Sequence, residues 1–266
     1  MTDHGETYVA ANLKAWEEAA PIHARHNLAR LKAEIARPGF CALDDVATAR
    51  LKALGVDGAD IVQICCNNGI ELLSTKAMGA GRCVGIDGAA GFVEQARALA
   101  DAGGLEAEFI TADVHDLPPG LNQSFDIGLI TIGVLSWMPD IDRFFGIVSS
   151  LLRHGGALLI HEHHPILEMM EPGAAEDPVA WELSYFKETP YVDDSGLDYY
   201  GGETYAATPN NSFMHKMSDT IMAGLKAGLA VEHFEELPDH ISNSWYNVEA
   251  SGIGLPMSYV LTFRKT

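Results

Sequence analysis

Gly69 and Asp87 carry the first chemical signal in the chain. They fall within IVQICCNNGIELLSTKAMGAGRCVGID, residues 61–87. An apolar run (Ile61, Val62, Ile64, Cys65, Cys66) breaks at Asn67-Asn68-Gly69, a helix-like segment follows, and a second apolar run from Cys83 to Ile86 ends on the acid. The order reads strand, tight turn, helix, strand, acid. In such a unit the turn lets the backbone approach a nucleotide-like ligand, and the carboxylate at the tip of the second strand holds a ribose through its two hydroxyls. The separation is close to the ~20 residues this arrangement uses. Gly69 has no Cβ to keep a ligand away. Asn67 and Asn68 tolerate left-handed backbone, so they can stand where glycines usually do. The plainer alternatives are a turn glycine and an acid that caps the next helix.

A second group is HEHHP, residues 161–165, which raises the question of a metal. Alternation along an extended segment sends His161 and His163 one way and Glu162 and His164 the other. No HExxH motif accompanies them, so no metal is expected. Substrate recognition or proton removal by Glu162, His163 or His164 is preferred over plain loop polarity. His215 is a further candidate base, since histidine titrates near neutral pH. Of the four cysteines, Cys41, Cys65, Cys66 and Cys83, no pair has CxxC spacing. Zinc and a disulfide framework are therefore not expected, and a reducing cytoplasm fits. Cys65 and Cys66 read as packing residues on opposite faces of one strand, not as nucleophiles.

These residues need elements to position them. Residues 8–37 read as helical with a break at Pro21, and 43–54 as a helix closed by Gly55. Strands follow at about 60–66, 82–87, 107–111, 125–132 and 156–161, with helices at about 70–79, 90–101 and 140–152. Continuous apolar strands separated by helices imply a parallel sheet covered on both faces. Residues 165–214 are too long for an ordinary connection and rich in aromatics, which suggests a lid. A helix at about 216–227 and strands at about 229–236 and 257–264 end the pattern as an antiparallel hairpin at the sheet edge.

The 266 residues can bury a full core as one large domain or a domain with a cap. Hydrophobic content of 47% and charged content of 20% mark a globular chain. The formal net charge of -20 makes nucleic acid and anionic lipid poor partners. The N-terminus lacks the basic region and apolar core of a signal peptide, and no apolar run reaches the ~18 residues of a membrane span.

Five strings in order give a resemblance to the class I S-adenosylmethionine-dependent methyltransferases, over about residues 55–266. The first motif, in the turn after the first strand, departs from the family's acid-x-Gly-x-Gly-x-Gly. Gln63 stands for the acid, Cys65 and Asn67 for the first two glycines, and only Gly69 remains. VGIDGA with Asp87, ITADVHDLP with Asp113, SFDIGLITIGVLSWMPD at 124–140, LLRHGGALLIHE at 151–162 and Lys226-Ala227-Gly228-Leu229 match the rest. The resemblance implies a Rossmann-like α/β fold with a seven-stranded, mostly parallel sheet and a terminal antiparallel hairpin. It implies an N-terminal helical cap at 1–54 and a methyltransferase domain at 55–266 with a lid insertion at about 165–214.

The cofactor so implied is S-adenosyl-L-methionine, held by Cys66, Asn67, Gly69, Asp87, Gly88, Asp113, Val114, Thr131 and Ile132. Asp113 would lie beside the adenine amino group. The acceptor would be a small molecule, methylated on N, O or S, in an aromatic pocket whose residues include Trp16, His23, Glu162, Tyr185, Tyr200 and Trp245. Aromatics in the cap could shield the sulfonium; the alternative is that they pack the cap in place. A homodimer is allowed. The competing readings are an NAD-dependent oxidoreductase, which an acid after the second strand also suits, and a non-catalytic S-adenosylmethionine-binding protein.

Overall fold

The structure is a computed structural model that describes residues 3–170, 179–200, 202–242 and 244–266. The chain begins with α1 (Asp3–His23), a π-helical stretch (Ala24–Leu28) and α2 (Ala29–Ile35). The break expected at Pro21 does not occur. A proline inside a helix removes one donor and crowds the carbonyl four residues back, and the wider π turn just after it takes up the mismatch. Burial of Ala19, Ala20 and Ile22 holds this segment helical against proline's cost.

After α3 (Asp45–Ala53), the alternation runs β1 (Ile61–Ile64), α4 (Ile70–Ala77), β2 (Cys83–Asp87), α5 (Ala90–Gly103), β3 (Glu108–Thr111), β4 (Phe125–Thr131), α6 (Ile141–Leu151) and β5 (Leu152–His163). The insert holds a small antiparallel pair, β6 (Tyr191–Asp193) and β7 (Asn210–Ser212). Then come α7 (Met217–Lys226), β8 (Leu229–Leu237), α8 (Tyr246–Ala250) and β9 (Ser258–Lys265). The short α8 lies between the two late strands, where none was expected. Strand β5 starts four residues earlier than its apolar core implies, because the Arg153–Gly156 turn is pulled into register with β4 through an irregularity.

The seven-stranded sheet has the order β3-β2-β1-β4-β5-β9-β8. Strands β1 to β5 pair parallel, and β9 runs antiparallel to both β5 and β8. Alternation divides the core. Val62, Ile64, Val84 and Ile86 pack against Phe144, Phe145 and Val148 of α6, while Ile61 and Cys83 pack against Leu72, Val93 and Leu99 of α4 and α5. Strand order reverses between β1 and β4, and the crevice at their carboxyl ends is where such sheets take ligands. Among the described residues no helix is long and apolar enough to cross a membrane.

Candidate functional site

The turn between β1 and α4 is left-handed at three alternate positions, Cys65 (φ +54°), Asn67 (+51°) and Gly69 (+68°). A Cβ on Gly69 would lie 2.4 Å from the Phe109 ring, so glycine is required there by packing as well as by φ. The Asn67 side chain stabilises the turn by accepting from the Asn68 N–H at 2.8 Å. Asp87 locks turn to strand: its Oδ2 accepts from the Asn67 N–H at 2.7 Å and its Oδ1 from the Ala89 N–H at 2.9 Å. Burial raises the Asp87 carboxyl, against the pull of these N–H groups. Cys65 packs toward the α6 face and Cys66 toward the α4 face. Burial, with Asp87 close by, pushes both thiols well up, which suits packing and not nucleophilic attack.

Gln63, where the family's acid is expected, is buried and fully used. Its Nε2 donates to Thr131 Oγ1 at 2.8 Å and its Oε1 accepts from the Leu72 N–H at 3.0 Å. It thereby joins β1, β4 and α4, and it fixes Thr131 at the end of β4. Burial raises the Glu71 carboxyl in the first turn of α4, and a hydrogen bond from Gln63 opposes that rise. Sequence reasoning missed Glu71.

On β3 and its exit, Asp113 accepts from the His115 N–H at 2.9 Å and from His115 Nδ1 at 2.8 Å. Burial alone would raise this carboxyl, but the His115 contacts together bring it below the ordinary carboxylate range. Val114 is buried beside it, and Ile132 is 39% exposed at the exit of β4. Asp87 and Asp113 thus follow adjacent parallel strands, with the turn beside them and Thr131 across β1. A Cβ on Gly88 would lie 2.2 Å from Leu13 Cδ2, so its absence admits α1.

Helix α1 lies across this edge. Glu17 accepts from the Gly91 N–H at 3.1 Å, and Ala20 O accepts from Gln95 Nε2 at 2.9 Å. The Trp16 ring meets Trp137 at 5.3 Å, Phe92 at 5.9 Å and Tyr199 at 6.4 Å between centroids. His23 meets Tyr199 at 4.6 Å and Tyr200 at 5.0 Å, and its Nε2 donates to Leu197 O at 2.7 Å. Burial lowers the His23 imidazole. The insert is tied to α1 by a reciprocal buried pair, Asn12 Nδ2 to Asn211 O at 2.8 Å and Asn211 N–H to Asn12 Oδ1 at 2.7 Å. Cap, insert and strand ends therefore meet around Trp16.

Other candidates fall elsewhere. Trp245 packs with Leu167, Met170, Val248 and Met257 in a separate apolar cluster and is 4% exposed, so it serves packing instead of the substrate role expected for it. The Tyr185 hydroxyl accepts from the Met217 N–H at 3.0 Å and holds the start of α7. His164 is committed to structure, with Nε2 3.0 Å from Glu236 Oε1 and Nδ1 accepting from the Ile166 N–H at 3.2 Å, which corrects its reading as a base. Glu162 accepts from the N–H groups of Gly133, of Val134 at 2.9 Å and of Leu135 at 3.3 Å, so it shapes the loop after β4. His215 Nε2 donates to Met138 O at 2.7 Å, which leaves Nδ1 as an acceptor, and burial lowers the imidazole so that it is neutral.

Glu162, His163 and His215 border one small cavity together with Glu168. Sequence reasoning also missed Glu168, although an acid set among Ile166, Leu167, Met169 and Met170 is a signal. A hollow of about 710 Å³ lies near Arg82, Arg97 and Glu108 at the opposite, amino end of the strands, away from this chemistry. Among the described residues no group of three or more His, Cys, Asp or Glu could hold a metal ion.

A family model described as a methyltransferase domain matches residues 61–156. No curated protein matches the chain. A solved S-adenosylmethionine dependent methyltransferase from Mesorhizobium loti is 23% identical with a TM-score of 0.59, over 82% of this chain and 96% of that one. Another, from Clostridium acetobutylicum, is 11% identical with a TM-score of 0.59, over 93% and 98% of the two chains. A geranyl diphosphate methyltransferase solved with GPP and sinefungin is 14% identical with a TM-score of 0.57, over 84% and 78%.

Proposed function

We propose that this chain, whose residues 61–156 are a methyltransferase domain in the fold of the S-adenosylmethionine-dependent methyltransferases, transfers that cofactor's methyl group to a small-molecule acceptor. The observation that carries the reading is the bond from the Asn67 N–H to Asp87, which makes the left-handed turn and the ribose-side carboxylate one rigid unit. When bound, S-adenosylmethionine supplies a methyl group already activated on a sulfonium.

The chain's own residues supply the rest. Asp87 accepts from the ribose hydroxyls through charge-assisted bonds. Asp113 and Val114 border the adenine, and the turn at Gly69 faces the methionine portion. Transfer then needs alignment and exclusion of water, which α1 and the insert provide. The rings of Trp16, Trp137 and Phe92 give a π-rich wall suited to a cation. His215 Nδ1 is available as a base for an acceptor that starts protonated. The division into a helical cap at 1–54 and a domain at 55–266 belongs to the same reading. A net charge of -20 disfavours nucleic acid as acceptor, and the relative solved with GPP supports a small one.

Calorimetry with S-adenosylmethionine and with NAD tests the reading, which fails if only NAD binds. The variant Asp87→Ala is expected to weaken S-adenosylmethionine binding at least tenfold, about 1.4 kcal/mol. Unchanged affinity would remove Asp87 from the site.

A further inference from the structure

A cavity of about 40 Å³ lies past the carboxyl ends of β4 and β5, bordered by Gly133, Glu162, His163, Glu168 and His215. Two carboxylates face it from different segments, Glu162 at the end of β5 and Glu168 on a short 3₁₀ turn (Leu167–Met169). Glu162 is held by the backbone N–H groups of the β4 loop. Among the described residues none donates a hydrogen bond to the Glu168 carboxylate. His163 borders the same space, and its Nδ1 is buried without a partner. Burial, reinforced by the charge of Glu162, raises Glu168 to about 7. Burial, then His240 and His161, lowers His163 to about 4, so it is a neutral imidazole at pH 7.

Glu162, His163 and the ionised form of Glu168 present acceptors here, and the hydroxyls of Ser136, Thr220 and Tyr259 border them as neutral groups. A carboxylate or phosphate would be repelled. An alcohol carries one proton and satisfies one acceptor. An ammonium carries three, enough for Glu168 and His163 Nδ1, and its charge also suits Glu162, whose oxygens already accept from backbone N–H groups. The volume suits a head group of that size, since a water molecule's share is about 30 Å³. The way in has the same sign. A groove of about 630 Å³ shares Phe213 and His215 with the cavity and is lined by Asp140, Asp142, Glu188 and Asp219 against Lys226. Such a lining concentrates cations.

We propose that the cavity is the head-group subsite of the methyl acceptor, that it takes a protonated amine, and that Glu168 removes the proton that makes the nitrogen nucleophilic. The proposal rests on the methyltransferase reading and names its substrate class. The Glu168 carboxylate takes one proton from R–NH3+ and leaves R–NH2. The nitrogen lone pair forms the N–C bond as the sulfonium's S–C bond breaks, with that electron pair staying on sulfur. The products are a methylated ammonium and a neutral thioether. Tyr259 of β9 is the remaining titratable group at the cavity, and burial keeps its phenol protonated.

The experiment has separable arms. Calorimetry of wild-type protein with S-adenosylmethionine tests the parent reading alone, and no binding there sinks that reading. Saturation-transfer NMR on protein loaded with S-adenosylhomocysteine then compares propylammonium, propanol and propionate. Propylammonium is expected to give the dominant signal, reduced at least tenfold in Glu168→Gln, with S-adenosylhomocysteine affinity unchanged. Comparable signals from the three probes, no propylammonium signal, or an unaffected Glu168→Gln would overturn the proposal. If circular dichroism shows Glu168→Gln unfolded, His163→Leu replaces it, with the same tenfold loss expected and an unaffected signal overturning the proposal. With a primary amine that turns over, kcat at pH 7 should fall about 100-fold in Glu168→Gln. The rise of rate with pH near 7 should vanish with it, and Glu168→Asp should restore part of both.

Discussion

Cys65 and Asn67 hold φ values of +54° and +51°, where a Cβ crowds the following carbonyl at roughly 1–2 kcal/mol per residue. The backbone of a glycine turn is thus kept without two of its glycines. Cys65→Gly should leave stability within about 1 kcal/mol, because relieved strain offsets lost packing, whereas Cys65→Val should cost about 2 kcal/mol, since a β-branched residue fits this region worst. Denaturant unfolding reads both. Gln63 and Glu71 also exchange roles: a neutral amide on β1 avoids placing a second buried negative charge beside the glutamate of α4. Glu168 yields a pH prediction. Its carboxyl titrates near 4.5 unfolded and about 7 folded, so the native state holds the extra proton and stability falls as pH rises through that window. Glu168→Gln should match wild type near pH 4 and be more stable above pH 7, on the order of 2 kcal/mol, by urea unfolding at several pH values. Asp87, Asp113 and Gly69 were legible because each sits at a fixed offset from a strand. Glu71 and Glu168 were overlooked although each left a local trace, Glu71 two residues after Gly69 and Glu168 among apolar neighbours, whereas Trp137 is brought to Trp16 by long-range packing.

Helix α1 and the insert are joined by groups almost 200 residues apart in sequence, Asn12 with Asn211 and Glu18 with Thr208. Asn12→Ala leaves the Asn211 backbone unpaired in a buried place, at about 1–3 kcal/mol. Hydrogen exchange should quicken in α1 and in 208–213 while the β1–β4 ladder stays protected; uniform protection would show that the pair does not hold the cap. The β-strand, helix alternation of 60–161 was readable because most of its strands are largely apolar runs set between helical segments. The insert was not, since its small sheet and its contacts with α1 depend on polar pairs without periodicity. The helix through Pro21 was misread because buried alanines on its far side outweigh a local penalty that sequence alone makes visible.

At the scale of the whole molecule, 37 acidic against 17 basic side chains give -20, and self-repulsion opposes compactness. Raising salt from about 0.01 M to 0.15 M shortens the screening length from roughly 30 Å to 8 Å. The unfolding midpoint should therefore rise with sodium chloride, and a flat or falling midpoint would mean that local ion pairs outweigh the net repulsion. The position of β9 has a consequence in time. It inserts between β5 and β8, although it follows both in sequence. During synthesis β5 therefore waits, with one edge unpaired, for the ~95 residues that separate His163 from Ser258. At about 5–20 residues per second that is an interval of roughly 5–20 s. For that interval the nascent chain offers an open apolar strand to its neighbours, so its yield in a cell should depend on how crowded the translating ribosomes are and on what chaperone reaches the strand first.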